Sequence, residues 1–175
     1  MIRHVILVGL PGAGKTTVGR RTAQLLSTDF TDIDDVVALE HGRSIAAIFA
    51  ESGEPGFRRL EREAMDTALR RAPHLIAAGA GWVAEPGNLE AAKGAGAAVL
   101  YLRVSAAVAA ARVGDDPSRP LLVGGDRVER LGALLAIREA WYRLADREVD
   151  AAGPPEQVAE GVVDAVRAIL AARPL

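Results

Sequence analysis

Apolar residues run along this chain in two rhythms. Short unbroken stretches, His4 to Val8 and Ala97 to Leu102, are dense in aliphatic residues, and the first stops at Gly9. Such stretches are expected of strands buried on both faces of a parallel sheet. His74 to Ala78, which runs into Gly79-Ala80-Gly81, reads as a third strand, and Phe30-Thr31-Asp32-Ile33 and Glu148 to Asp150 as shorter ones. Between them the apolar spacing changes to three and four residues, as on a helix with one buried side.

The first helix predicted in this way covers Lys15 to about Ser27. A second, Asp35 to Glu40, closes at Gly42, and Ser44 is placed to cap Ile45 to Ala50, which stops at Gly53. After the turn Glu54-Pro55-Gly56 a charged helix runs from Phe57 to Arg71, with Leu60, Ala64, Ala68 and Leu69 at helical spacing. A short helix follows Pro86-Gly87, and Ser105 caps an alanine-rich one. A long amphipathic helix spans Asp126 to about Arg147, and Pro155 opens the last, which reaches Ala172. Periodicity lapses from Gly114 to Gly125, a glycine-bounded loop of the kind that serves as a moving lid. Strands alternating with helices, with no repeat and no linker, predict one α/β domain over residues 1–175 built on a parallel sheet.

Composition narrows the function. At 175 residues, 50% of them hydrophobic, the chain can fill one core and has no room for a second catalytic domain. A formal net charge of −2 argues against nucleic acid held by bulk electrostatics, so any anion site must be local. The absence of cysteine excludes disulfides, thiolate nucleophiles and Cys-based metal sites. The N-terminal stretch is neither a signal peptide nor a membrane span, which predicts a cytoplasmic protein with no membrane partner. Lysine occurs only at Lys15 and Lys93, so the position of Lys15 is informative.

Gly9-Leu10-Pro11-Gly12-Ala13-Gly14-Lys15-Thr16 fits Gly-x-x-x-x-Gly-Lys-Thr and lies between a predicted strand and a predicted helix, the setting in which that string forms a phosphate-binding loop. Its glycines let backbone N–H groups converge on phosphate oxygens, and the helix N-terminus adds partial positive charge. Gly12, Ala13, Gly14, Lys15, Thr16 and Thr17 are therefore the expected ATP cradle. Lys15 would reach the β- and γ-phosphates, and the Thr16 hydroxyl would take Mg²⁺.

The acceptor side is read from charged residues near strand ends. Asp32 and Asp34 flank Ile33 at the end of the second predicted strand, which puts both carboxylates on one face overlooking the phosphate site. One can support the metal and the other accept a proton from an attacking hydroxyl; standing alone, the pair would equally suit a solvated acidic turn. Of the charges after Phe57, most read as a solvated face with i,i+4 pairing, Arg59 and Arg62 in particular. Arg138 lies among Leu134, Leu135, Ile137 and Trp141, surroundings that suit a functional arginine as well as a solvated one. Arg119 lies in the predicted lid, where it can act on the γ-phosphate or be an ordinary loop arginine. Arg112 can lie against adenine or simply favour a helix C-terminus.

Taken in order, these pieces resemble shikimate kinases over nearly the whole chain. The resemblance is carried by Gly9 to Thr16, Asp32-Ile33-Asp34, Gly42-Arg43-Ser44-Ile45 with Ile48-Phe49, Gly53-Glu54 with Phe57-Arg58, Gly79-Ala80-Gly81, Arg119-Pro120-Leu121-Leu122, and Arg138 ahead of Trp141-Tyr142-Arg143. It implies a three-layer P-loop kinase fold, with a five-stranded parallel core sheet flanked by helices, a substrate-binding segment over about 32–62 and a mobile lid over about 114–125. It also implies ATP and Mg²⁺, a small carboxylate acceptor and a monomer. Arg58 and Arg138 would clasp the acceptor carboxylate, with Gly79, Ala80 and Gly81 beside them and Asp34 as the base in the family pattern. Asp32 would support Mg²⁺ with Thr16, Arg119 would act from the lid, and Ile45, Phe49 and Phe57 would line the apolar side. Arg112 and Pro155 would sit near adenine.

One departure stands out. Three consecutive glycines are usual in the family where this chain has Gly79-Ala80-Gly81, and small residues are common where it has Trp82. If the middle position requires φ > 0, alanine costs about 1 kcal/mol there; otherwise its N–H still serves the ligand. Trp82 either joins the core or narrows the acceptor pocket. The competing readings are a kinase for another polyhydroxy acid or a nucleoside monophosphate, and a nucleotide-dependent regulatory protein without a small-molecule acceptor.

Overall fold

The computed structural model describes residues 3–113 and 126–172. Strands β1 (His4–Val8), β2 (Phe30–Asp32), β3 (Leu75–Ala77), β4 (Ala97–Arg103) and β5 (Arg147–Asp150) form one sheet in the order β2-β3-β1-β4-β5. Every pairing is parallel; central β1 sets Val5 opposite Leu75 on one side and Ala98 on the other. Its five residues are all buried, as are the three of β3 and the first six of β4. A strand covered on both faces has no polar side, which is why the sequence there is continuously apolar. At the edge, β5 buries Val149 alone among its residues.

Seven helices flank the sheet among the described residues: α1 (Lys15–Leu26), α2 (Ile33–His41), α3 (Ile45–Leu69), α4 (Asn88–Gly94), α5 (Ala106–Val113), α6 (Arg127–Tyr142) and α7 (Pro155–Ala172). Helix α1 packs on α7, α5 on α6, and α2 on α3. Caps follow the side-chain chemistry: Ser44 accepts from Ala47 N, Ser105 from Val108 N, and Asp126 from Val128 N and Glu129 N. None of the described helices is long and apolar enough to cross a membrane.

Three boundaries differ from expectation. The break in α3 falls at Gly53, the expected stop, with φ 65° and ψ −175°, but Glu54-Pro55-Gly56 is helical rather than a turn. Pro55 then lies in the first turn after the break, where a missing N–H costs nothing. Helix α6 ends at Tyr142 rather than near Arg147, because hydrogen bonds draw the chain back to the sheet edge. Asp146 N donates to Val99 O, the Asp146 carboxylate accepts from Val99 N at 2.7 Å, and Arg147 pairs with Leu100. Finally, β2 stops at Asp32 and Ile33 already belongs to α2. The expected lid, residues 114–125 with Arg119, lies outside the described residues.

Candidate active site

Beside the carboxyl ends of β1, β2 and β3 opens a cleft of about 720 Å³. The chain leaves β1 for β2 and β3 on one side and then crosses to β4 and β5 on the other, so the cleft stands at the switch point where open α/β sheets bind ligands. The phosphate-loop residues Gly12, Gly14, Lys15, Thr16 and Thr17 line it, and so do Asp32, Asp34, Arg58 and Arg138.

The loop's geometry explains its glycines. Gly12 has φ +81°, and a Cβ there would collide with the Ala109 carbonyl oxygen, so only glycine fits against α5. Gly14 is the left-handed N-cap of α1 and contributes no side chain to it, which leaves the first-turn N–H groups directed at the loop. Lys15 Nζ donates to Gly9 O at 2.9 Å and to Leu10 O at 3.0 Å, arching over the loop.

Thr16 Oγ1 donates to Asp32 Oδ2 at 2.5 Å, while Asp32 Oδ1 accepts from Asp34 N at 3.0 Å. Asp32 is thus both the cap of α2 and the partner of the loop hydroxyl. The strand-face explanation for Asp32 and Asp34 is corrected here. They share the cleft because Asp32 ends a strand and caps α2, while Asp34 lies in the first turn of that helix. Two hard oxygens held side by side suit Mg²⁺, which takes few protein ligands alongside phosphate oxygens.

Around Arg58 the charges interlock. Its Nη1 donates to Glu61 Oε2 at 2.7 Å and its Nη2 to Glu54 Oε1 at 2.9 Å, and the guanidinium lies 5.3 Å from the centre of the Phe57 ring. The same Glu54 oxygen is 3.9 Å from Arg138 Nη2, so one carboxylate ties two largely buried arginines to a common wall. Phe57 packs on Phe49 at 4.8 Å between ring centres, and both line the cleft with Ile45. An apolar wall facing paired guanidinium groups suits a small ring bearing a carboxylate.

Glu61 was not expected here, because the charges around it read as a solvated face. Arg59 and Glu63 do form an exposed pair, but Glu61 is fully buried. It occupies a place in the buried stripe Phe57, Leu60, Ala64, Met65 and Ala68, and a carboxylate three residues after an arginine within such a stripe is the signal that could have found it. Burial pushes its pKa up to about 7, against the pull of Arg58, and nearby Asp34 and Glu85 add to the rise. Glu54 and Tyr142 are two further residues that the sequence did not single out for this site.

The acceptor loop clarifies the family departure. A Cβ on Gly79 would meet Glu61 Oε1, and one on Gly81 the Arg58 guanidinium, so a side chain at either end would have to push a buried charged group aside. Ala80 is different. Among the described residues Ser27 is the only non-glycine with positive φ, so the middle position accepts alanine without strain. Trp82 is 1% exposed and belongs to the core, its carbonyl held by Asn88 Nδ2 at 2.8 Å.

Arg112 lies in the last turn of α5, as one of its two readings has it. Its fork donates to the carbonyls of Ala151 at 2.7 Å and of Ala152 and Gly153 at 3.0 Å, fixing the segment that leads to Pro155. Arg112, Gly153 and Pro155 all line the cleft.

The chain is similar to known proteins over most of its length. A family profile described as shikimate kinase matches residues 11–167. A shikimate kinase of Mycobacterium avium (strain 104) is 45% identical over 145 residues, which cover 83% of this chain and 81% of that protein. A solved shikimate kinase from Acinetobacter baumannii, in complex with shikimate, superposes with a TM-score of 0.91 at 31% identity and covers 97% of this chain and 95% of that one. A gluconokinase from Sinorhizobium meliloti 1021, at 14% identity and a TM-score of 0.65, shares the fold over 95% of this chain and 93% of its own.

Proposed function

The chain belongs to the shikimate kinase family, and from that premise we propose how its cleft moves the γ-phosphoryl group of ATP to a hydroxyl of shikimate, giving 3-phosphoshikimate and ADP. The observation that carries the reading is the meeting, in one cleft, of the phosphate loop with Asp34 and the buried pair Arg58 and Arg138.

In this proposal Gly12 to Thr17 bind the ATP phosphates through N–H groups, Lys15 and the Thr16 hydroxyl. Mg²⁺ would rest on Thr16 and Asp32 and neutralise phosphate charge. Arg112 and Pro155 border the adenine. Arg58 and Arg138 grip the acceptor carboxylate, Gly79, Ala80 and Gly81 present backbone N–H groups, and Asp34 orients the hydroxyl and accepts its proton. Arg119, from the segment 114–125, supplies the remaining positive charge at the γ-phosphate. Positioning and charge neutralisation contribute most of the acceleration, because a loose phosphoryl-transfer transition state asks little of a base.

A coupled ADP-release assay with shikimate, quinate, gluconate and nucleoside monophosphates tests the assignment. ADP release dependent on shikimate is the expected result. Release that is indifferent to shikimate and dependent on another acceptor would assign the cleft elsewhere.

A further inference from the structure

Resting on the reading of Arg138 and Gly79-Ala80-Gly81 as acceptor residues, we propose that Tyr142 is a positioning residue for the acceptor. Its hydroxyl locks the acceptor loop onto α6, so that the loop N–H groups and the Arg138 guanidinium keep one fixed spacing.

Tyr142 is fully buried, and its hydroxyl donates to the Ala80 carbonyl at 2.5 Å across a separation of 62 residues. The Ala80 carbonyl and the Gly81 N–H belong to one planar trans peptide unit and point in opposite directions. Turning the carbonyl towards Tyr142 therefore turns the Gly81 N–H the other way, and Gly81 is on the cleft wall. The rest of the loop is anchored by other bonds: Trp82 N donates to Gly79 O at 3.1 Å, and Asn88 holds Trp82 O. The bond from Tyr142 fixes the peptide between those anchors.

The same side chain reaches the second acceptor group. Arg138 precedes Tyr142 by one helical turn, both are buried on the same side of α6, and the guanidinium lies beside the phenol. Tyr101 holds the ring from behind, stacked at 5.0 Å between centroids and 16° between planes. Burial pushes the phenol pKa up to about 12, against the pull of Arg138, so the hydroxyl remains a donor throughout the working range. A phenylalanine would fill the same volume. What it would lack is the bond to Ala80.

The test is Y142F, which keeps the stack and deletes the hydroxyl. The expected result is a KM for shikimate raised about 10-fold, with the KM for ATP within about twofold of wild type. Y101F is the control: the Tyr101 hydroxyl is buried with no hydrogen-bond partner among the described residues, so its removal should leave the acceptor KM unchanged. An unchanged acceptor KM in Y142F, or a parallel loss for both substrates with a lowered Tm, overturns the proposal.

Amide hydrogen exchange at Trp82, whose N–H bonds Gly79 O across the peptide that Tyr142 holds, reads the lock without turnover. Acceleration there in Y142F is expected, and unchanged protection overturns the proposal even if the enzyme proves to use another acceptor. Failure of wild type to phosphorylate shikimate would instead count against the functional reading alone. If Y142F does not fold, wild-type exchange decides. A Trp82 amide, bonded to Gly79 O, as protected as those of α6 supports the lock, and much faster exchange refutes it.

Discussion

Replacing Glu61 with glutamine keeps the side-chain shape and an oxygen for Arg58 Nη1 while removing the proton that titrates. In the folded protein the pKa of Glu61 stands at about 7 against an ordinary 4.5, chiefly because the carboxyl is buried. The native state therefore holds this proton more tightly than the unfolded chain does. Below pH 4.5 both states are protonated, and stability is lost as pH rises from there through 7. At 1.36 kcal/mol per pKa unit the loss approaches about 3 kcal/mol, complete by about pH 8.

His4 works in the opposite sense. Burial and the neighbouring His74 lower its pKa below the ordinary 6.5, so it removes stability as pH falls through 6.5. The total stability curve mixes the two effects, and the difference between wild type and Glu61→Gln isolates one. Urea unfolding of both proteins between about pH 4.5 and 8.5 measures that difference. Relative to the variant, wild type should lose up to about 3 kcal/mol across the window and then level off. Parallel curves would refute the burial argument, because a carboxyl titrating at its ordinary pKa in the fold leaves no slope there.

Other substitutions probe the cleft separately. Arg138→Ala should raise the KM for shikimate by about two orders of magnitude with little change for ATP, and an unchanged acceptor KM would sink the carboxylate clasp. Gly79→Ala drives a methyl group into Glu61 Oε1 and should cost about 1–3 kcal/mol in denaturant unfolding. Ala80→Gly should also destabilise, by about 0.5–1 kcal/mol, since the native φ suits alanine and glycine only loosens the unfolded chain; a gain in stability would show that the position is strained. Arg112→Ala frees three carbonyls next to Pro155, so nucleotide affinity should fall in titration calorimetry while shikimate affinity holds.

The donor half of the cleft is legible in the sequence because it is local. Gly9 to Thr16 is a continuous stretch whose backbone builds the site, and a strand before it and a helix after it suffice to orient it. The strands β1 and β4 are legible for a similar reason, since burial on both faces keeps their interiors, Val5 to Val8 and Ala97 to Leu102, almost wholly apolar. The acceptor half is assembled from α2, α3, α6 and the loop after β3, and no spacing rule brings those together. Arg58 and Arg138 can be named through family resemblance, but their shared partner Glu54 and the burial of Glu61 follow only from packing. By itself, then, the sequence determines the alternation of strands and helices, the phosphate loop and the reaction class. Tertiary structure alone decides that Trp82 belongs to the core, that Ala80 is unstrained between two glycines packed against Glu61 and Arg58, and that Tyr142 reaches the acceptor loop. Close approach between distant segments sets all three, and local chain chemistry carries no record of it.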